Sequence, residues 1–528
     1  MLLLAAFSAI VIPLLLIVIL RMQARYAMVI SALSVGLLGS MVWEMNSITI
    51  AASALQGIHR AVTILWILFG ALLFLYAMQS SGAVERIKHG FMRISEDMRV
   101  QTVIVAFGFV AMLEGIAGFG TPAAIAIPLL LTLGFRPMLA VVVALVGDSV
   151  PTSFGAIGTP LLVGLENVPA ANPSRVGEYV TIIDSLFALL LPLVLVAILV
   201  VWFGRKSQRL KDILEIAPWA LMIGAVYVVV ALVSARTIGV EFTSIVSGLV
   251  AMSVALVTAH FNIGTPAAIW RHHEDNATID TSQPSIKSSL VVAWLPYIVI
   301  IALLVIQRII PSVRTMLEQA GNLGWQNILG VDQITSTWSI LLSPGTVLAL
   351  AAVVVIAMYR LHPKKISITL WHASSKVLLT ALALVPTLIM VQIFVNSGIN
   401  EAGLVSMPNY IAYLFAANFA PLWIALSPLV GTITSFIMGS TTVSTLTMSP
   451  VQASVASQLG IPVDVAMAQQ LSGANAGNMI AIHNVVAASA VAGLHHQEYR
   501  IIRHTLPAVG LYLLSSVIGV IVLLNFLG

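Results

Sequence analysis

The sequence predicts an all-α polytopic membrane protein, with about 12 transmembrane helices plus two re-entrant hairpins in an inverted repeat with broken helices. Three observations predict it. Of 528 residues, 59% are hydrophobic and 8% charged, where soluble domains run about 25% charged. Basic residues fall in clusters between long apolar runs. Two of the apolar stretches are broken by segments rich in Gly, Pro, Ser and Thr. With a mean hydropathy of +1.04, the apolar surface could not be hidden from water, which excludes a soluble enzyme, a nucleic-acid binder and a disordered chain. The chain has no cysteine, so a disulfide framework, a zinc–thiolate cluster and a cysteine nucleophile are all excluded. The net charge of +4 carries no partner, because basic residues in membrane proteins mostly report orientation.

The first apolar run, Leu2 to Leu20, has no basic residue before it and no small-residue cleavage site, so it is expected to remain as a helix. Runs 27–43 and 61–79 follow. The basic clusters are Arg21 and Arg25; Arg86, Lys88, Arg93 and Arg99; Arg205, Lys206, Arg209 and Lys211; Arg271 and Lys287; Arg360, Lys364 and Lys365; and Arg500 and Arg503. Placing them in the cytoplasm fixes the order of crossings. The chain is inside at Arg99 and outside near Asn167–Glu178, so the stretch 102–165 makes an odd number of crossings. Arg136 would be stranded in lipid unless it faces the cytoplasm. A hairpin over 102–133, a broken helix over 138–166 and a helix over 180–203 satisfy both conditions. Runs 217–235, 244–261, 291–310, 338–358 and 375–396 then alternate. A second interrupted stretch gives a hairpin over about 421–459 and a broken helix over 462–492, and 506–527 closes the chain.

An internal repeat points the same way. A shift of 326 residues aligns Leu133-Gly134 with Leu459-Gly460, Ala140 with Ala466, and Leu145 and Gly147 with Leu471 and Gly473. Each half then reads as three helices, hairpin, broken helix and helix, in opposite orientation. The first repeat is residues 1–204, the linker helices and a cytoplasmic loop are 205–288, and the second repeat is 289–528. Inverted repeats with discontinuous helices mark secondary transporters.

Non-helical backbone at membrane depth has to line a cavity, because its amides and carbonyls find no partners in lipid. The segments that qualify are GIAGFGTP (115–122), GDSVPTSFGAIGTP (147–160), MGSTTVSTLTMSP (438–450) and SGANAGNMIAIHN (472–484). Pro122 and Pro160 suit the first turn of a helix restarting after a break. Such a restart aims free N–H groups and the positive end of the helix dipole at the cavity, which favours an anion. The hydroxyls of Thr121, Ser149, Thr152, Ser153, Ser440, Thr441, Thr442 and Ser444 can bond a carboxylate or a hydroxyl. The plainer alternative is that small residues there only let helices pack closely; four such segments, paired by the repeat, favour a binding site.

An acidic residue deep in a membrane is costly and is a functional candidate. Glu114 abuts the first tip and Asp148 opens the first gap, so either can carry a coupling proton; the alternative is that each only accepts hydrogen bonds from tip amides. His483 is placed to bind substrate or relay a proton, or to serve as a hydrogen-bonded structural residue. His260 is expected at a helix end. His272, His273, His495 and His496, with Glu274 and Glu498, fall in basic loops with no metalloprotease spacing, and the sequon Asn276-Ala277-Thr278 falls in a predicted cytoplasmic loop. No cofactor and no metal site are expected. The substrate-binding candidates are the backbone at Gly118, Gly120, Gly155 and Gly473, together with Thr121, Ser153, Ser440, Thr441, Asn475, Asn478 and His483.

The motifs LEGIAGFGTPAAIAIPLLLTLGFRPMLA (113–140) and PTSFGAIGTPLLV (151–163) closely resemble the signature of the lactate permease family. GSTTVSTLTMSPVQASVASQLGIP (439–462) is similar to that family's second hairpin, and GANAGNMIAIHNVVAASAVAGL (473–494) to its last broken helix. The resemblance covers nearly the whole chain. It implies uptake of L-lactate, and often D-lactate or glycolate, by proton symport across the inner or plasma membrane of a prokaryote, with a fold akin to the wider ion-transporter superfamily, whose members often form homodimers.

The chain departs from that pattern at three places. Members of the family carry an acid in the second tip, as G-S-D-T, where Thr441 stands here. They carry a Lys in G-K-M-I-S-P-Q, where this chain reads Asn478-Met479-Ile480-Ala481-Ile482-His483-Asn484. Asp148 replaces a neutral Asn. Without that Lys, the anion is left to backbone dipoles, hydroxyls and His483. The departures leave a rival open within transport, sodium coupling to another small organic anion such as a sulfonate. A dicarboxylate would want a cation, and the gaps hold no Lys or Arg. An integral membrane enzyme would need a convergent catalytic set that the gaps lack, so no enzymatic activity is expected. A passive anion channel would fail to accumulate substrate.

Overall fold

The computed structural model describes the chain except for residues 21, 85, 88–94, 119, 205–206, 267, 272–288, 495–496 and 528. Several positions read from the sequence lie outside the described residues. They are Phe119 in the first tip; Arg21, Lys88, Arg93, Arg205, Lys206 and Lys287; His272, His273, Glu274, His495 and His496; and the sequon at Asn276. The side chain of Thr121 is outside them as well.

Among the described residues the fold is helical without a β-strand, and only two isolated bridges occur, Asn322 with Ser339 and Trp325 with Ser336. Eight of the described helices are long and apolar enough to cross a membrane, and the pair Pro137–Gly147 and Val150–Leu162, bent by 49°, makes a ninth when counted as one span. Shorter apolar helices include Pro344–Met358 and Trp423–Met438. Several helices outrun the apolar segments that announce them. The run 61–79 lies inside Ser47–Ser81, 180–203 inside Pro173–Phe203, and 506–527 inside Glu498–Leu527. A hydropathy run stops where side chains turn polar, whereas the backbone helix continues to a cap. Asn46 Oδ1 accepts from the Ile48 amide at 3.0 Å, and Asn172 Oδ1 accepts from the Ser174 and Arg175 amides at 3.1 and 3.2 Å.

Two compact units divide the chain, and each draws on both halves of the sequence. The first comprises residues 1–87, 286–420 and 457–459. Its long helix Ser47–Ser81 packs against Pro363–Val395 and Pro344–Met358. Asn396 Nδ2 ties two of these together by donating to Ser53 Oγ at 3.0 Å and to Gln56 Oε1 at 2.8 Å.

The second unit comprises residues 88–285, 421–456 and 460–528. Pro173–Phe203 is its hub, packed against Arg209–Thr237, Glu498–Leu527 and Val463–Asn478. Arg99, read from the sequence as one of a cytoplasmic basic cluster, is buried in this unit at 1% exposure. Asp97 accepts from its Nη2 at 2.7 Å and from its Nε at 3.1 Å, and the carbonyls of Asp212 and Ala268 accept from Nη1 and Nη2. A buried guanidinium is stable when its charge is paired and its remaining donors are bonded, and both conditions are met.

Three helix starts in the second unit agree under the 326-residue shift to within one residue. Pro137 opens one helix and Val463 another; Gly155 corresponds to Ala481, one residue before the helix at Ile482; Pro173 corresponds to Tyr499, one residue after the helix start at Glu498. Gly134 and Gly460, which coincide under the shift, both have positive φ, +89° and +69°.

Candidate functional site

Every residue singled out for substrate or proton lies in the second unit. The chain from Met98 to Ala117 is helical, passes Gly118 and Gly120, and resumes as a helix at Thr121 with Pro122 in its first turn. Gly118 has φ +55° and ψ −157°, a conformation open essentially to glycine alone. A Cβ there would also lie 2.9 Å from that of Ala156. The first tip therefore rests directly on the first gap.

That gap begins where Pro137–Gly147 ends. A tight turn spans Val150–Phe154, and Ala156, Ile157 and Gly158 follow with φ of +43°, +58° and +74°. Ile157 is β-branched and fully buried, and a left-handed residue of that kind costs on the order of 1–3 kcal/mol that the surrounding packing has to supply. Thr159 Oγ1 donates to the Ala156 carbonyl at 2.5 Å, which steadies the restart that carries Pro160.

Glu114 and Asp148 meet here. Their exposures are 3% and 2%, and their carboxyls hydrogen-bond to each other. Two buried carboxyls in contact cannot both carry charge without cost, so the pair is a candidate to hold a proton. Glu114 Oε2 and Asp148 Oδ1 are buried without a hydrogen-bond partner. Gly155 lies so close that a methyl group in its place would collide with Glu114 Oε1.

In the second interrupted stretch, Trp423–Met438 and Thr441–Leu459 are joined through Gly439, at φ +69°, and Ser440. Ser440 Oγ caps the second of these helices by accepting from the Val443 amide at 3.4 Å. Behind the tip runs a buried polar chain. Ser427 Oγ donates to Gln452 Oε1 at 2.9 Å, and Gln452 Nε2 to Gln470 Oε1 at 3.2 Å. Gln470 Nε2 then donates to Ser444 Oγ at 3.2 Å. Thr441 Oγ1 donates to the Ala474 carbonyl at 3.5 Å, which joins the tip to the second gap. That gap lies between Val463–Asn478 and Ile482–Val491.

The two gaps meet side by side. Asn475 Nδ2 donates to Ser153 Oγ at 2.7 Å, and Asn478 Nδ2 to Thr152 Oγ1 at 3.4 Å. Asn484 Nδ2 donates to Asn478 Oδ1 at 2.8 Å. A Cβ on Gly120 would fall 3.4 Å from Asn484 Oδ1, and one on Gly439 would fall 2.9 Å from the His483 Cβ, so each tip adjoins the second gap. Ser153, Thr441, Asn475 and Asn478 are buried, Gly120 and Ser440 are half-buried, and His483 is exposed. Gly147 and Gly473, which coincide under the 326-residue shift, are both pressed against a backbone carbonyl, of Ala106 and Pro428 respectively, where a methyl group would collide. Ser149 spends its hydroxyl on the end of the preceding helix, at the Val146 carbonyl, 2.7 Å away. Among the described residues no three His, Asp or Glu side chains are grouped to hold a metal ion.

Sequence reasoning missed Asp184, Ser472 and Tyr512, which bond to one another and to Asn475, and the pair Gln452 and Gln470. A signal for Asp184 existed: it is a lone acid within the apolar run 180–203.

A family model described as L-lactate permease matches residues 2–527. A Haemophilus influenzae protein provisionally named an L-lactate permease is 30% identical over 500 residues, covering 90% of each chain. The L-lactate permease of Bacillus subtilis is 28% identical over 88% of this chain and 86% of its own. A glycolate permease of Escherichia coli is 26% identical over 90% and 86%.

Proposed function

The chain belongs to the L-lactate permease family, and from that membership we propose that it takes up L-lactate or a related small 2-hydroxy-monocarboxylate, D-lactate or glycolate, by proton symport across the plasma membrane of a prokaryotic cell. It is a multi-pass membrane transporter of lactate-like substrates.

The observation that carries proton coupling is the hydrogen-bonded pair of Glu114 and Asp148. It stands between the first tip and the first gap, with Gly155 against Glu114. A proton held there neutralises charge that would otherwise oppose an incoming carboxylate. The substrate carboxylate is held by hydroxyls, amides and helix N-termini at Gly118, Gly120, Thr121, Ser440 and Thr441, with Ser153, Asn475, Asn478 and the backbone at Gly155 and Gly473 completing the site and His483 at its accessible edge. A set with no Lys or Arg fits a single carboxylate with a neighbouring hydroxyl better than a dicarboxylate. The interrupted stretches are read as re-entrant hairpins and broken helices of an inverted repeat. The agreement of three helix starts under the 326-residue shift supports that reading, and alternating access would move these elements around the site.

The test is uptake of labelled L-lactate into proteoliposomes holding the purified chain, under a proton gradient and a sodium gradient imposed separately. The expected result is accumulation with the proton gradient alone. Accumulation with sodium alone, or none with either, overturns the proposal.

A further inference from the structure

We propose that Asp184 is a second proton-carrying carboxyl, separate from the Glu114–Asp148 pair, whose protonation is read by both interrupted helices through Asn475. This rests on the proton-symport reading and extends it to a residue on an uninterrupted helix.

Asp184 lies within Pro173–Phe203 at 3% exposure. Ser472 Oγ donates to its Oδ1 at 2.5 Å and Asn475 Nδ2 to its Oδ2 at 3.3 Å, both from Val463–Asn478. The Tyr512 hydroxyl, from Glu498–Leu527, also bonds it. The ionisable groups set against it are Tyr512 and, from Arg209–Thr237, Tyr227. Val463–Asn478 meets it with the neutral Ser472 and Asn475, and the turn at 150–154 with Val150 and Phe154. Among the described residues its partners carry no positive charge. A buried carboxylate without a cation depends on hydrogen bonds alone and is a functional candidate.

Asn475 makes the group a switch. Its Nδ2 donates to Ser153 Oγ at 2.7 Å in the first gap and lies 3.3 Å from Asp184 Oδ2 and 3.1 Å from the Tyr512 hydroxyl. Its Oδ1 is fully buried without a partner, so the amide is anchored through its nitrogen. While Asp184 is a carboxylate, it accepts from Ser472, Asn475 and Tyr512. When Oδ2 takes a proton from water, the O–H formed there weakens that oxygen as an acceptor. Asn475 then loses its hold on the Asp184 side and keeps the contact with Ser153. Release of the proton to water restores the first arrangement. A cavity of about 10 Å³ beside Asp184, bordered by Thr181, Ala188 and Tyr227, is at the lower limit for one water molecule.

The experiment compares the full-length wild type with Asp184→Asn and Asp184→Glu in proteoliposomes. Labelled L-lactate counterflow without a pH gradient is measured beside accumulation driven by one. The expected result for Asp184→Asn is counterflow within about twofold of wild type and accumulation reduced about tenfold or more, with Asp184→Glu recovering part of it. Accumulation equal to wild type in Asp184→Asn overturns the proposal. So does loss of counterflow together with accumulation in both variants, which marks a structural role. Infrared titration of the carboxyl C=O band in lipid, without substrate, separates this inference from the transport reading. A protonated-carboxyl component that grows as pH falls and is missing in Asp184→Asn supports it, even if lactate proves not to be the substrate. Identical bands in the two proteins overturn it.

Discussion

Asn478 donates to Thr152 across 3.4 Å, and the two residues are 326 positions apart, the same offset that superimposes Gly134 on Gly460 and Gly147 on Gly473. On the proposed inverted repeat, two positions that coincide can touch only near the axis relating the copies. The contact therefore marks where the two interrupted stretches meet, and the proposed substrate site is built around it.

Removing the proton from the Glu114–Asp148 pair should uncouple transport. Glu114→Gln and Asp148→Asn are each expected to lower proton-driven lactate accumulation by about tenfold or more while lactate exchange persists. Paired uptake and counterflow assays check this. Full accumulation in both variants would assign coupling elsewhere.

The sign of charge at the meeting point is a separate test. Asn478→Asp adds an anion beside Thr152 and Asn484 and should raise the KM for lactate by about tenfold or more, since like charges at close range in a poorly solvated site repel by more than 1 kcal/mol. Asn478→Ala should raise it less. Initial-rate uptake across a range of lactate concentrations distinguishes the two.

Asn475 and Ser153, 2.7 Å apart, should behave as one unit. Asn475→Ala and Ser153→Ala are each expected to impair transport, and the double variant should be little worse than the more severe single one, as expected of residues in direct contact. Strictly additive losses would separate their roles.

Gly147 and Gly473 test the packing. Alanine at either position forces a methyl group onto a backbone carbonyl and should destabilise the protein by about 1–3 kcal/mol. The readout is a lower melting temperature in detergent. Unchanged melting of both variants would refute the close approach.

The helical class and the interrupted stretches were legible because Gly, Pro, Ser and Thr in apolar runs leave a strong local signal. The candidate residues also converge: Glu114 with Asp148, Ser153 with Asn475, and Gly118 with the first gap. Helix ends were less legible, because polar turns such as 173–179 are helical by virtue of the Asn172 cap rather than hydropathy. Asp184 went unread since no break surrounds it and its partners Ser472 and Asn475 are 288 and 291 residues away. The burial of Arg99 was hidden for a related reason. Its partners at Asp212 and Ala268 are remote in sequence, whereas a basic cluster by itself reports only which side of the membrane it faces.

The most direct test of the account records proton and lactate entry together, in liposomes that enclose a pH-sensitive dye and are supplied with labelled L-lactate. The account predicts that each lactate entering the vesicle brings protons in at a fixed ratio, and that a protonophore abolishes accumulation. Lactate accumulation that proceeds without proton entry, or that survives the protonophore, would contradict it.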